Sequence, residues 1–400
     1  MNFRKTVLKF RRIFPLLLLL FPSAAFAQHY SQTNLVSSIP GVGTNPTNPL
    51  DTQLINAWGL TRGATSPWWV SDNGTGLSTL YDGAGTKRAL VVTIPVPPGG
   101  SPPSAPTGVV VNGTTDFVLP GGMPANFIFV TEEGIIAGWN GGTSAVIVKD
   151  NSKAEAIYKG VTIAEWNGKH YLYVANFHSG EIEVYDSAFQ RVSPGKNAFT
   201  DDDDDNDDDQ GAKHGKGGKD KHGDKDDHGG KKAFKDNKSH FAPFNVQAIG
   251  TNVYVTFAKQ DAEKKDDVAG AGFGSVDVFD PVGRRLARLQ RGSWFNAPWG
   301  IAMAPGEFGE FSHSLLIGMF GSGQIAAFNP INGAFLGLMK NPDDSVLSID
   351  GLWALGFGAG NSNSGPHNTL FLTAGPNEEK DGLFGTLVPI PSELAEVDEP

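Results

Sequence analysis

The amino-acid sequence predicts an all-β fold: a six-bladed β-propeller of four-stranded blades, closed by its own N-terminal strand. Three observations carry that prediction. A short segment of small residue or proline, aromatic residue, glycine and apolar residue recurs six times. Each copy is followed by further strand patterns. The one strand absent from the last unit lies at the opposite end of the chain.

The recurring segment reads Asn56-Ala57-Trp58-Gly59-Leu60, Ala105-Pro106-Thr107-Gly108-Val109-Val110, and Tyr158-Lys159-Gly160-Val161. It returns as Ala242-Pro243-Phe244-Asn245-Val246, Ala297-Pro298-Trp299-Gly300-Ile301 and Gly351-Leu352-Trp353-Ala354-Leu355. Aligned on positions 59, 108, 160, 245, 300 and 354, the intervals are 49, 52, 85, 55 and 54, and only the third contains an insertion. The second and third strands are clearest in Tyr171-Leu172-Tyr173-Val174-Ala175-Asn176, a turn at Ser179-Gly180, and Glu181-Ile182-Glu183-Val184-Tyr185-Asp186. Their counterparts are 68–72 with 77–82, 127–131 with 135–140, 253–257 with 275–280, 315–320 with 324–329, and 370–374 with 383–388. Alternating β-branched and aromatic residues fit half-buried strands. The third strand ends in an aromatic residue followed by Asp or Asn in five of six copies, a turn signal because that side chain bonds the backbone further along.

A fourth strand is expected at 88–94, 145–148, 189–193, 286–290 and 334–339, but not after Val388. Residues 33–37 (Thr-Asn-Leu-Val-Ser) supply the missing one, and closure removes an open sheet edge that would otherwise invite aggregation.

The ends and the insertion lie outside this pattern. Arg4, Lys5, Lys9, Arg11 and Arg12 precede an apolar stretch at 13–21 and Ala25-Phe26-Ala27, the layout of a secretory signal peptide spanning 1–27. That apolar stretch falls short of the roughly 20 residues a membrane span needs. We therefore expect an exported protein, periplasmic or extracellular, with no membrane span. The propeller would occupy 28–390, and 391–400 would be an acidic tail with no apolar anchor helix. With no cysteine the fold rests on packing alone. Removing the five leader charges takes the formal charge from −11 to −16, which argues against nucleic acid and anionic membrane as partners. Gly 51 and Pro 26, with 19% charged residues, fit tightly turned β-structure.

Residues 201–240 hold 13 Asp, 9 Lys and 4 of the 9 His, and almost nothing apolar except Phe234. Such a stretch cannot bury enough surface to offset its ordering entropy, so a disordered insertion is expected. Lengthening a loop from about 5 to about 45 residues costs only roughly 2 kcal/mol in closure entropy. An EF-hand frame starting at Asp224 puts Gly229 at position six, but His228 at five and Lys235 at twelve, which breaks the ligand pattern.

No Gly-x-Ser-x-Gly, His-Glu-x-x-His, phosphate loop or cysteine nucleophile occurs. Gly321-x-Gly323-x-x-Ala326 has the letters of a dinucleotide loop but joins two antiparallel strands. Geometry narrows the search to one face, where first strands begin and second strands end. Asn56, Asn296 and Asp350 stand near the first-strand starts. Asp72, Asn73, Glu132, Glu133, Asn176, His178, Lys259, Asp261, Asn377 and Glu378 stand near the second-strand ends. Oxygen ligands there suit a hard cation, Ca²⁺ or Mg²⁺. Each also has a plain structural use: Asp72-Asn73-Gly74 and Glu132-Glu133-Gly134 as turns, Asn296 and Asp350 as caps, and Trp58, Trp299 and Trp353 as core at the inner wall.

The segments Pro298-Trp299-Gly300-Ile301-Ala302 and Leu172-Tyr173-Val174-Ala175-Asn176 resemble blades of NHL-repeat propellers. Asn34-Leu35-Val36, Asn56-Ala57-Trp58-Gly59, Ala242-Pro243-Phe244-Asn245-Val246-Gln247, Ala258-Lys259-Gln260-Asp261 and Asp267-Val268-Ala269-Gly270 together resemble a family of exported bacterial propellers, conserved hypothetical proteins. That resemblance implies the fold and no activity.

Three functions follow as expectations. The first is a monomeric binding or scaffold module whose loop-rich face takes a protein, glycan or small molecule. The second is a metal-dependent hydrolase similar to gluconolactonase-type propellers, acting on a small ester or lactone, with Glu132, Asn176, Asn296 and Asp350 as the cation ligands. The third is divalent-cation binding by the acidic insertion.

Overall fold

The computed structural model describes residues 29–201 and 241–390. The expected signal peptide, the insertion beyond Asp201 and the 391–400 tail lie outside the described residues. Six antiparallel four-stranded sheets form the ring. Blade 1 is Ala57–Thr61, Trp68–Asp72, Leu77–Tyr81 and Lys87–Thr93; blade 2 is Pro106–Val111, Phe127–Thr131, Ile135–Trp139 and Val146–Asp150. Blade 3 is Tyr158–Trp166, Lys169–Asn176, Glu181–Tyr185 and Arg191–Val192; blade 4 is Phe241–Ile249, Asn252–Lys259, Ser275–Phe279 and Arg285–Arg288. Blade 5 is Pro298–Met303, Leu315–Met319, Ile325–Phe328 and Phe335–Leu338. Blade 6 takes Leu352–Phe357, Leu370–Ala374 and Leu383–Pro389, and borrows Tyr30–Ser37 as its outermost strand. The protein is a six-bladed β-propeller.

The closing strand is longer than its sequence pattern promised. It pairs antiparallel with Leu383–Pro389 from Tyr30 opposite Pro389 to Ser37 opposite Leu383. Tyr30 and Val36 are fully buried, and the Tyr30 hydroxyl donates to the Phe308 carbonyl at 3.0 Å, reaching blade 5.

Burial runs from axis to rim. Trp68–Asp72, Phe127–Thr131, Leu315–Met319 and Leu370–Ala374 are buried at every position, because each sheet is sandwiched between two neighbours. Middle strands are thus covered on both faces rather than half-buried as their alternation predicts. The outermost strands are the most open, as in Arg285–Arg288, where three of the four residues are exposed and Arg288 is half-buried. At the third-strand ends, Asp82, Asp186 and Asp280 each accept two backbone N–H bonds through Oδ1, and Asn329 does likewise. In blade 3 this turn extends to Phe189 at φ 57°, which shortens the fourth strand from the expected 189–193 to Arg191–Val192.

Every innermost strand carries a register shift at the recurring segment: between Ala57 and Leu60, Pro106 and Val109, Tyr158 and Gly160, Pro243 and Asn245, Pro298 and Gly300, and Leu352 and Leu355. A bulge re-aims one side chain. The glycine after it lets the next blade approach: a Cβ at Gly59 would lie 2.3 Å from the Thr107 carbonyl oxygen, and one at Gly160 2.2 Å from Asn245 Oδ1.

Candidate functional site at the channel mouth

The six re-aimed positions are Trp58, Thr107, Lys159, Phe244, Trp299 and Trp353, and all are buried. Four are aromatic and meet across the axis. Trp58 stacks on Trp353 with centroids 3.6 Å apart, Trp299 sits edge-on to both, and Phe244 lies 5.9 Å from Trp353. Contacts between non-adjacent blades make this cluster an aromatic plug, and the three tryptophans form the inner wall that the sequence predicts. Side chains lock neighbouring blades at the same level. Thr107 Oγ1 donates to the Tyr158 carbonyl at 2.7 Å, Asn245 Nδ2 to the Trp299 carbonyl at 2.7 Å, and Thr373 Oγ1 to the Trp58 carbonyl at 2.6 Å.

Lys159 is the exception, a charge among rings and only 1% exposed. Its Nζ lies 5.0 Å from the Trp58 ring centroid and 6.0 Å from that of Phe177. It donates to Glu132 Oε1 and, at 3.2 Å, to Asp266 Oδ1. The chain of bonds continues through four blades. Trp353 Nε1 donates to Asn56 Oδ1 at 2.9 Å, Asn56 Nδ2 to Asn73 Oδ1 at 3.2 Å, and Asn73 Nδ2 to Glu132 Oε2 at 3.3 Å. Burial opposes the Lys159 charge, but Glu132 and Asp266 outweigh it and hold the ammonium above its ordinary range. Burial likewise works against ionised Glu132, and Lys159 overrides it, keeping that carboxyl below its usual value.

Two further carboxyls crowd this mouth. Burial, followed by repulsion from Glu132, pushes Glu379 up to about 7. Burial pushes Asp267 up to about 6, against the pull of Lys159. Four carboxyls thus surround one lysine, and two of them are poised to titrate near neutrality, a pattern characteristic of functional sites.

The four residues predicted as cation ligands are distributed around this mouth in separate bonds. Glu132 belongs to the Lys159 pair. Asn176 Oδ1 accepts from Ile157 N–H at 3.3 Å and its Nδ2 donates to Glu183 Oε1 at 2.9 Å, fixing the approach to Lys159. Asn296 Oδ1 accepts from Gly270 N–H at 2.6 Å, pinning the loop that carries Asp266 and Asp267. Asp350 Oδ2 accepts from Asn377 N–H at 2.9 Å, pinning the turn that carries Glu379. Three of the four therefore position the loops of the mouth. Among the described residues, no group of three or more His, Asp or Glu is arranged to hold a metal ion.

Sequence reasoning passed over Lys159, Asp266, Asp267 and Glu379. Lys159 did leave a signal: it occupies the repeat position that is aromatic in four of the other five copies. The three acids come from loops joining second to third strands, with no spacing that links them.

Fold and mouth define an N-terminally closed six-bladed propeller with a plugged channel and a charged rim. No family model matches the chain. Two uncharacterised proteins of Acanthamoeba polyphaga mimivirus are similar to it. One is 28% identical over 357 residues, covering 86% of this chain and 77% of the relative; the other is 28% identical over 353 residues, covering 84% and 81%. Among solved structures, a glucose dehydrogenase aligns with TM-score 0.49 at 10% identity, over 89% of this chain and 98% of that one. A streptogramin B lyase aligns with TM-score 0.46 at 10% identity, over 90% and 98%. Regucalcin of Agrobacterium tumefaciens aligns with TM-score 0.45 at 10% identity, over 85% and 92%. Assignment of the fold rests on the ring of sheets itself. Among the described residues, no helix is long and apolar enough to cross a membrane.

Proposed function

We propose that this chain is an exported binding propeller that takes a small organic cation, an amine or guanidinium, at the Lys159 mouth of its channel. The observation that carries this reading is the imbalance of charge there. Lys159 seats its own ammonium over Trp58 between Glu132 and Asp266, while the carboxyls of Asp267 and Glu379 have no cation of their own. A second ammonium would neutralise both and use the same aromatic wall. Export is supported by the leader pattern of residues 1–27.

Calorimetric titration with 1,4-diaminobutane, argininamide, Ca²⁺ and Mg²⁺ at pH 7.5 tests it. The reading expects saturable binding of an amine, weakened at least about tenfold in Glu379→Gln, the loss of one charge-assisted contact. No amine binding, or tight binding of Ca²⁺ or Mg²⁺ alone, overturns it, the latter in favour of the metal-dependent alternative.

A further inference from the structure

The connection at residues 375–381 places Asn377, Glu378 and Glu379 in succession at φ 57°, 57° and 63°. Non-glycine residues enter this left-handed region singly and at a cost, so three in a row make a strained turn. Both ends of the turn are tied. Asn377 N–H donates to Asp350 Oδ2 at 2.9 Å and Asn377 Nδ2 to Asp381 Oδ2 at 2.8 Å. Asp381 in turn accepts from Ser38 Oγ at 3.0 Å through Oδ1 and from Asn56 N–H at 2.9 Å through its carbonyl. Between these anchors, the Glu379 carboxyl makes no hydrogen bond or ion pair among the described residues.

Its surroundings are mostly of its own sign. Facing Glu379 are Glu132 of blade 2, Lys159 of blade 3, and Asp266 and Asp267 of blade 4. Asp261 adds to the field at Asp267, and Lys265 acts on Glu132. Lys159 already serves Glu132 and Asp266. On the turn itself, exposed Glu378 and Lys380 pair with each other at 2.7 Å. With no cation bound at the mouth, a neutral Glu379 is what lets this strained turn rest there.

We propose that the turn is a proton-operated latch over the channel mouth, closed while Glu379 and Asp267 are protonated and released when both ionise. Release relaxes three left-handed residues, separates four carboxylates and uncovers the Lys159–Trp58 edge of the plug. The sign follows from linkage. Both acids are raised in the closed form, so closure is fully favoured below their ordinary values of 4.5 and 3.8 and is lost as pH climbs through about 6 and 7.

Hydrogen–deuterium exchange of residues 375–382 in the full chain, without ligand and corrected for intrinsic exchange rates, reads the latch directly. From pH 5 to pH 8 the opening equilibrium should rise at least about tenfold, the least that one titrating carboxyl of this kind implies. Glu379→Gln and Asp267→Asn, each neutral and of unchanged shape, should each flatten that rise. Constant protection across the pH range in the parent, or an undiminished rise in both variants, overturns the proposal. Either result is independent of amine binding.

Discussion

Lys159 Nζ lies 5.0 Å from the centroid of Trp58, a residue two blades away around the ring. This contact joins the charged rim to the aromatic plug and makes Lys159 a structural element of both. Lys159→Met keeps the stem but leaves Glu132 without its cation. The expected loss is about 3–5 kcal/mol, the usual result of stranding one member of a buried pair. Urea denaturation at pH 7 measures it. Lys159→Met combined with Glu132→Gln should recover most of the loss. A double variant as unstable as the single one would assign the effect to packing instead.

The closing strand is the second point of vulnerability. Tyr30→Phe removes the hydroxyl that satisfies the buried Phe308 carbonyl and should cost about 1–3 kcal/mol in a thermal or chemical melt. Val36→Asp places a carboxylate at a fully buried position and should detach the strand. That would bare the Leu383–Pro389 edge, so light scattering on heating should rise well before global unfolding. A Val36→Asp protein that melts like the parent without aggregating would mean the strand does not hold the ring.

The plug makes a third prediction. Trp353 is 1% exposed, stacks on Trp58 at 3.6 Å and on Phe320 at 3.9 Å, and starts the bond chain through Asn56. Trp353→Ala should cost about 3–5 kcal/mol. Trp353→Phe should cost less, because it keeps a ring and loses the indole N–H. Equal costs would place the stability in the hydrogen bond rather than in the stack.

These residues also mark how far the sequence could be read. The repeat was legible because each blade needs the same bulge and close approach, so Gly59, Gly108, Gly160 and Gly300 recur at one position. Ring closure followed from counting strands, and the third-strand Asp or Asn from turn chemistry. The mouth was only half legible. The strand order places the same loops at this face as the repeat pattern does, but residue type alone cannot separate an oxygen that binds a ligand from one that caps a backbone N–H. Asn176, Asn296 and Asp350 do the latter. Asp266 and Glu379 meet through the curvature of the ring, which no local spacing encodes.

Asp72 supplies the last prediction. It is fully buried at the end of the second strand of blade 1, opposite Ala57. Oδ2 accepts from Thr79 N–H at 2.9 Å, and Oδ1 has no partner among the described residues. Burial drives this carboxyl well above its ordinary 3.8 and Asp51 adds to the effect, while hydrogen bonding from Thr79 and the charge of Lys87 only partly oppose it. An acid raised in the folded state contributes its full stability below its unfolded value, near 4, and loses it as pH rises. Asp72→Asn substitutes a neutral amide of the same shape, so its melting temperature should exceed that of the parent at pH 8 and approach it at pH 4. A variant that falls further below the parent at pH 8 than at pH 4 would mean that Asp72 is ionised and paired. The blades themselves favour the neutral form: in blade 3 the equivalent position, opposite Tyr158, is already an asparagine, Asn176.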